Sequence, residues 1–238
     1  EISLHRYLKS LKRFSVREAE ALIRAGRVSV NTEVVDRPEQ RVLVGKDMIA
    51  LDDVPLVATE VPQRLVLMLH KPRGVVCTRQ DEKGRETVFD LLPKDLGYLF
   101  TVGRLDLMSD GALLLTNDGD LARRLADPRF HVKKLYRVKL QGTVSQAQLA
   151  PLEKGVVLDG RKTRPCRIRV EGKTAQNTWT LWELKEGKNR QIRRMCEESG
   201  LFTMKIIRLG IGELRLGKLP SGSYRSLTPA EIASLERS

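Results

Sequence analysis

Apolar positions fall into two regimes along the chain. Through residue 52 they are sparse and periodic, and from residue 64 onward they gather into short dense runs. Leu4, Tyr7, Leu8 and Leu11 recur at helical spacing, leaving Arg6, Lys9, Lys12 and Arg13 on other faces. Ser15-Val16-Arg17-Glu18 has the form of a capping box opening a second helix, whose stripe is Ala19, Leu22 and Ile23 and whose stop is Gly26. Val28 and Val30 alternate with polar neighbours, Asn31-Thr32 turn the chain, and Val34-Val35 return it. Residues 1–52 therefore predict a compact helix-helix-hairpin domain. Residues 53–63 hold Pro55 and Pro62 with little periodicity, which predicts a linker or crossing strand before a larger domain over 64–238.

In that larger part, residues 65–69 read as a buried strand, interrupted by Lys71-Pro72-Arg73-Gly74 and resumed at 75–78. Residues 113–115 read as another, stopped by Asn117-Asp118-Gly119, and Leu121, Ala122 and Leu125 as the inner face of a helix ending before Pro128. Within 133–140, Tyr136, Val138 and Leu140 share one strand face and Leu135, Arg137 and Lys139 the other. Asn189 is expected to cap a helix with a buried stripe of Ile192, Met195 and Cys196. That helix places Arg190 and Arg194 together at i,i+4, with Arg193 at the border of the core. The fold class expected is α+β: a small N-terminal domain, then a large mixed domain on a mainly antiparallel sheet with a cleft across its middle.

Charge narrows the function. The 238 residues carry a formal net charge of +13, which points to a polyanion, nucleic acid ahead of a membrane surface. Aromatic residues are only 5% of the chain, so broad base-stacking platforms are not expected and binding should rest on phosphate contacts. No apolar run is long enough to span a bilayer, and Glu1-Ile2-Ser3 begins no signal peptide. Cys77, Cys166 and Cys196 have no metal-type spacing, and His5, His70 and His131 are equally dispersed. A cytoplasmic, metal-free protein with reduced thiols is the expectation.

The chemistry gathers in three blocks: Lys71-Pro72-Arg73-Gly74, then Gly103-Arg104-Leu105-Asp106 followed by residues 111–119, then Gly187-Lys188-Asn189-Arg190-Gln191-Ile192-Arg193-Arg194-Met195. Alone, an Arg two residues from an Asp is most often a surface ion pair. Alone, a basic helix is a solvated face, and a strand Tyr is core. An Arg at a core border, however, needs an anionic partner, and Asp106 is a candidate.

Together, in this order, the blocks resemble the pseudouridine synthases of the RsuA type, which modify ribosomal RNA at single sites. Residues 209–212 and 222–228 fit as well. Ala112 stands where the family tends to have Leu. The first quarter of the chain resembles the S4 RNA-binding domain, departing at Val16, often Arg, and at Thr32, usually Gly; Thr32 makes a tight primed turn less comfortable. The S4 resemblance implies docking on structured RNA, with Arg6, Lys9, Arg13, Arg17, Arg24 and Arg27 as its phosphate contacts.

The synthase resemblance implies isomerisation of uridine to pseudouridine with no metal, redox cofactor or nucleotide. Asp106 carries over as the catalytic carboxylate, acting as nucleophile at C1′ or as base at C2′. Tyr136 carries over as the residue packing on the target base, and Arg193 as the cation keeping Asp106 ionised. Arg104 takes the place of the flipped-out uridine. Lys71, Arg73, Asn189, Arg190 and Arg194 fall to substrate binding, Lys71 and Arg73 through structure and phosphates. The partner implied is ribosomal RNA or a pre-ribosomal particle, met by a monomer away from membranes. Residues 77–85 and 87–93 lean toward the large-subunit enzymes of this branch. The alternatives are a small-subunit enzyme, a non-catalytic assembly factor, and a base-removing glycosylase, which would want a second carboxylate.

Overall fold

The computed structural model describes residues 1–11, 14–56 and 64–237, and the chain divides into two compact units, Glu1–Gln63 and Arg64–Ser238. The first unit runs β1 (Ile2–Ser3), α1 (Leu4–Ser10), α2 (Val16–Arg24), β2 (Val28–Val30), β3 (Glu33–Val35), β4 (Arg41–Val42), β5 (Ile49–Leu51) and β6 (Val54–Pro55). The capping box forms: Ser15 accepts from the Glu18 amide while Glu18 accepts from the Ser15 amide. Leu4, Leu8, Ala19, Ile23, Val28 and Ile49 close the core, over a sheet ordered β3-β2-β5-β6. The buried Tyr7 hydroxyl donates to the Leu56 carbonyl at 2.6 Å. The hairpin tip is the tight two-residue turn despite its sequence, since Val30 pairs with Glu33 and both Asn31 (φ 51°) and Thr32 (φ 74°) are left-handed. Asn31 is held there by its side chain, which accepts from the Met48 amide and donates to Asp47.

The second unit contains β7 (Val66–Lys71), β8 (Phe100–Val102), β9 (Asp110–Thr116), α3 (Gly119–Ala126), β10 (Lys134–Gln141), α4 (Gln146–Glu153), β11 (Val157–Leu158), β12 (Arg161–Lys162), β13 (Arg167–Lys173), β14 (Asn177–Leu184), α5 (Gln191–Glu198), β15 (Thr203–Ile211), β16 (Leu214–Arg215), β17 (Tyr224–Ser226) and α6 (Pro229–Glu236). Nine strands form one sheet ordered β13-β14-β10-β15-β9-β7-β17, with β16 on β15 and β8 on β9. The expected mixed, mainly antiparallel sheet is present: every ladder in it is antiparallel except β9–β15.

That exception shapes the molecule. β15 pairs with β9 only at Asp110 and Gly111, whereas β8 pairs with it at Leu114–Thr116. Two strands thus share one edge of β9 at different heights, and the sheet forks between them.

Each half of the sheet is covered for a sequence-level reason. β9 is buried along its whole length, so it reads as a continuous apolar run rather than an alternation. Leu121 and Leu125 of α3 and Leu235 of α6 pack with Met68, Ala112 and Leu114 on one face. Val75, Val88, Leu92 and Leu99 cover Leu67, Leu69, Leu113 and Leu115 on the other. In the other half, Leu149 and Leu152 of α4 and Ile192, Met195 and Cys196 of α5 pack on Val138, Leu140 and Trp182.

The Asn117-Asp118-Gly119 stop is a joint. Asn117 accepts from the Leu65 amide, and Asp118 caps α3 by accepting from Asp120 and Leu121. Two expectations fail. Residues 75–78 form no strand beyond one bridge from Val76 to Thr87, because this segment serves as a lid over the sheet rather than as part of it. Asn189 does not cap α5; Arg190, left-handed at φ 48°, occupies the cap position. Gln191 closes this start instead, accepting from the Lys188 amide and donating to Glu186.

Candidate active site

The fork in the sheet opens as a cleft of about 130 Å3. Val102 and Gly103 at the end of β8, Tyr136 of β10 and Arg208 of β15 line it, with the 104–109 loop above. That loop is held from four sides. The Lys71 ammonium, fully buried, donates to the carbonyls of Asp106 (3.2 Å), Ser109 (2.9 Å) and Pro72 (2.9 Å). The Cys77 thiol faces the backbone of Leu105, accepting from its amide and donating to its carbonyl, each at 3.4 Å. Gly74 donates to the Leu107 carbonyl at 2.8 Å. Arg193 donates to the Met108 carbonyl at 3.1 Å.

The loop therefore presents Asp106 half-buried, and Arg104 exposed at the mouth with no hydrogen bond or ion pair among the described residues. A carboxylate fixed through its own backbone, with its side chain left free, is preorganised for chemistry.

Tyr136 sits as the alternation predicts, half-buried, where the core under α5 meets the core under the lid. Its ring thus forms a wall of the cleft. Arg193 comes near, yet the ion pair expected with Asp106 is not made among the described residues. Its guanidinium bonds the carbonyls of Met108 and Thr203, and its Nε is buried without a partner. Burial pushes its pKa down, and Asp106 is the main charge opposing that shift.

The other expected substrate contacts separate. Lys71 has no exposed surface and its donors are spent on backbone, so it cannot touch a phosphate and acts on the loop instead. Arg194 makes a two-armed pair with Asp159 at 2.7 and 2.8 Å, so its guanidinium is already engaged within the fold. Arg73, Asn189 and Arg190 are exposed, Arg190 on the cleft rim. In the first unit, Arg17 and Arg24 are exposed, Arg6 and Lys9 are half-buried, and Arg27 is paired with Asp52. Arg13 lies outside the described residues.

Sequence reasoning passed over two cleft cations. Lys134 lies two residues before Tyr136 and so shares its face; burial pushes its pKa down to about 8. Arg208 stands alone in the apolar run 206–209, and a lone charge in a buried strand was the available signal. The other carboxylate in the cleft, Glu186, is buried and committed to the Gln191 side chain and the Arg164 amide. Among the described residues no group of acidic, His and Cys side chains could hold a metal ion, and no helix is long and apolar enough to cross a membrane.

Known proteins resemble this chain in sequence and fold. The family model for RNA pseudouridylate synthase matches residues 65–198, and that for the S4 domain matches residues 3–49. The ribosomal large subunit pseudouridine synthase B of Bacillus subtilis is 36% identical over 93% of this chain and 90% of its own length. Its namesake in Haemophilus influenzae is 38% identical over 90% of this chain, which spans only 61% of that relative's length. A crystal structure of a pseudouridylate synthase superposes with a TM-score of 0.67 at 29% identity, covering 99% of this chain and all of the other. The chain belongs to the RNA pseudouridylate synthase family, with an S4 domain ahead of the synthase domain.

Proposed function

We propose that this protein isomerises a single uridine of large-subunit ribosomal RNA to pseudouridine. The observation that carries the reading is a cleft with one uncommitted carboxylate, Asp106, among cations. Hydrolytic glycosidases usually set a second carboxylate apart to manage water, and Glu186 is already spent on Gln191 and Arg164. Isomerisation needs no water and no second carboxylate. The family membership and the printed names of the relatives support both the reaction and the large subunit.

In this reading Asp106 breaks the C1′–N1 bond, as nucleophile or as base. The base has to leave the RNA stack first, at a cost of a few kcal/mol. Arg104, unbonded at the mouth, fills the space it vacates, and Tyr136 packs on the extruded ring. Arg193 acts by fixing the Asp106 loop through Met108 and by its charge. Arg73, Asn189 and Arg190 meet phosphates at the rim, and exposed Arg17 and Arg24 anchor the S4 domain to folded RNA. Lys71 and Arg194 take structural parts. A monomer acting in the cytoplasm, on naked RNA or on an assembling particle, completes the proposal.

The test is to incubate small- and large-subunit transcripts with the protein, without added metal or cofactor, and map pseudouridine. One new site in the large-subunit RNA is expected. A site in the small-subunit RNA alone overturns the choice of subunit. Base loss without isomerisation overturns the reaction.

A further inference from the structure

Arg208 is a cleft residue that no step above employs. It lies on β15 directly across from Tyr136 of β10, so both side chains leave the sheet on the same face. Its Nε donates to the Ala112 carbonyl at 2.6 Å, just past the point where β15 parts from β9. Its Nη2 is buried with no hydrogen-bond partner, though the residue is only 4% exposed and lines the cleft. No ion pair among the described residues includes it; Asp110, on the adjoining strand, pairs with Lys205 at 3.4 Å. Its charged neighbour in the cleft, Lys134, is another cation, whose pKa burial and Arg208 together hold at about 8. A buried guanidinium with an idle donor is costly, and Asp106, the free carboxylate of the same cleft, makes no ion pair with it among the described residues. A ligand that brings a negatively charged acceptor completes the site.

We propose that Arg208 is a further catalytic residue: its idle Nη2 donates to a carbonyl oxygen of the target uracil and stabilises the charge this base carries after leaving C1′. The proposal rests on the isomerase reading. When C1′–N1 breaks, the bonding pair stays with uracil and is shared among N1, O2 and O4. When C5 then bonds to C1′, Asp106 leaves C1′ or returns the C2′ proton, according to its role, the charge on the base is consumed, C5 loses its proton and N1 gains one, so no atom is gained or lost overall. A donor fixed by Ala112 before the reaction is already oriented for this charge and need not reorganise. A backbone phosphate is the other anion available. A phosphate would meet the exposed cations Arg73, Arg104 and Arg190, whereas Nη2 is covered and belongs to the residue paired across the strands with Tyr136.

The experiment replaces one base oxygen at a time, using RNA whose target uridine is 2-thiouridine or 4-thiouridine. Single-turnover rates and RNA affinities are measured for wild type and for Arg208→Met and Arg208→Lys. Wild type should lose about tenfold or more on one of the two thio-RNAs, a weaker acceptor for a group worth roughly 100-fold in rate. Arg208→Met should be slowed roughly 100-fold on unmodified RNA, lose nothing further on that thio-RNA, and bind RNA almost unchanged. Arg208→Lys should recover part of the rate. A wild type indifferent to both thio-RNAs overturns the proposal without relying on any variant's folding. So do equal thio losses in wild type and Arg208→Met, or a defect confined to affinity. A wild type that makes no pseudouridine on unmodified RNA defeats the isomerase reading itself, and this proposal with it.

Discussion

Gly111 of β9 and Arg208 of β15 are paired where the two halves of the synthase sheet join, with no room between them for a side chain. A Cβ on Gly111 would lie 2.3 Å from the Arg208 carbonyl oxygen and 2.5 Å from its amide nitrogen, and Gly111 has a φ of +112°. Neither obstacle is a flexible group that can swing away. Gly111→Ala is therefore expected to cost at least about 3 kcal/mol, from the clash and the strained backbone together. Urea unfolding measures it. An unchanged midpoint would mean that the fork opens freely, and that it does not hold the cleft walls in register.

Lys71 acts at one remove from the cleft. Its ammonium satisfies three carbonyls, two of them on the loop that carries Asp106. Lys71→Met keeps the length of the side chain and leaves those acceptors unpaired, a loss of roughly 2–3 kcal/mol. Because Lys71 has no exposed surface, turnover should fall with RNA affinity nearly intact. A large affinity loss with full stability would return Lys71 to the substrate-binding set.

Thr32 occupies a left-handed position, φ 74°, at the tip of the β2–β3 hairpin. A β-branched residue is unfavourable there, and glycine is at ease. Thr32→Gly is expected to stabilise the N-terminal unit by about 1 kcal/mol, the strain relieved exceeding the entropy glycine adds to the unfolded chain. Thermal melting of the two proteins decides the sign, and a lower melting temperature for the glycine variant contradicts it.

Glu231 gives the fold an acid-sensitive contact. Its carboxylate pairs with Arg225 at 2.7 Å and accepts from the Thr228 amide that opens α6. Chiefly through Arg225, its pKa is held at about 2, below the 4.5 of a free Glu. A carboxyl group more acidic in the folded state stabilises above its unfolded pKa and loses that contribution as pH falls through 4.5 toward 2. The pair is partly exposed, so the Glu231→Gln penalty at pH 7 is on the order of 1 kcal/mol after screening. It should shrink steadily below pH 4.5 in denaturant titrations. A penalty independent of pH would assign the effect to packing.

Much of this was legible in the sequence because local physics and global fold agree there. The Ser15 capping box, the α3 stripe and the face of Tyr136 each follow from a period or a cap that tertiary structure had no reason to override. Misreadings arose where tertiary contacts took over. Residues 75–78 have strand composition but spend it covering β7 and β9. The start of α5 turns on Arg190 adopting a left-handed backbone, with Gln191 engaging buried Glu186, which no capping rule foresees. Arg194 meets Asp159 from thirty-five residues away, and spacing along one helix cannot reveal such a partner. The sheet order escaped as well: a two-residue parallel contact between β9 and β15 leaves no periodic trace, yet it sets the fork and brings Arg208 to Gly111.

The central claim is that Asp106 breaks the C1′–N1 bond while the exposed cations of the cleft rim and the S4 domain hold RNA. The direct measurement compares wild type with Asp106→Asn on one large-subunit transcript, reading RNA affinity and single-turnover pseudouridine formation in parallel. Asparagine keeps the shape of the side chain, and the loop is fixed through the Asp106 carbonyl rather than its carboxylate. Affinity should therefore stay within about threefold while the rate falls by at least about a thousandfold. A variant that still forms pseudouridine at an appreciable fraction of the wild-type rate would contradict the assignment of Asp106.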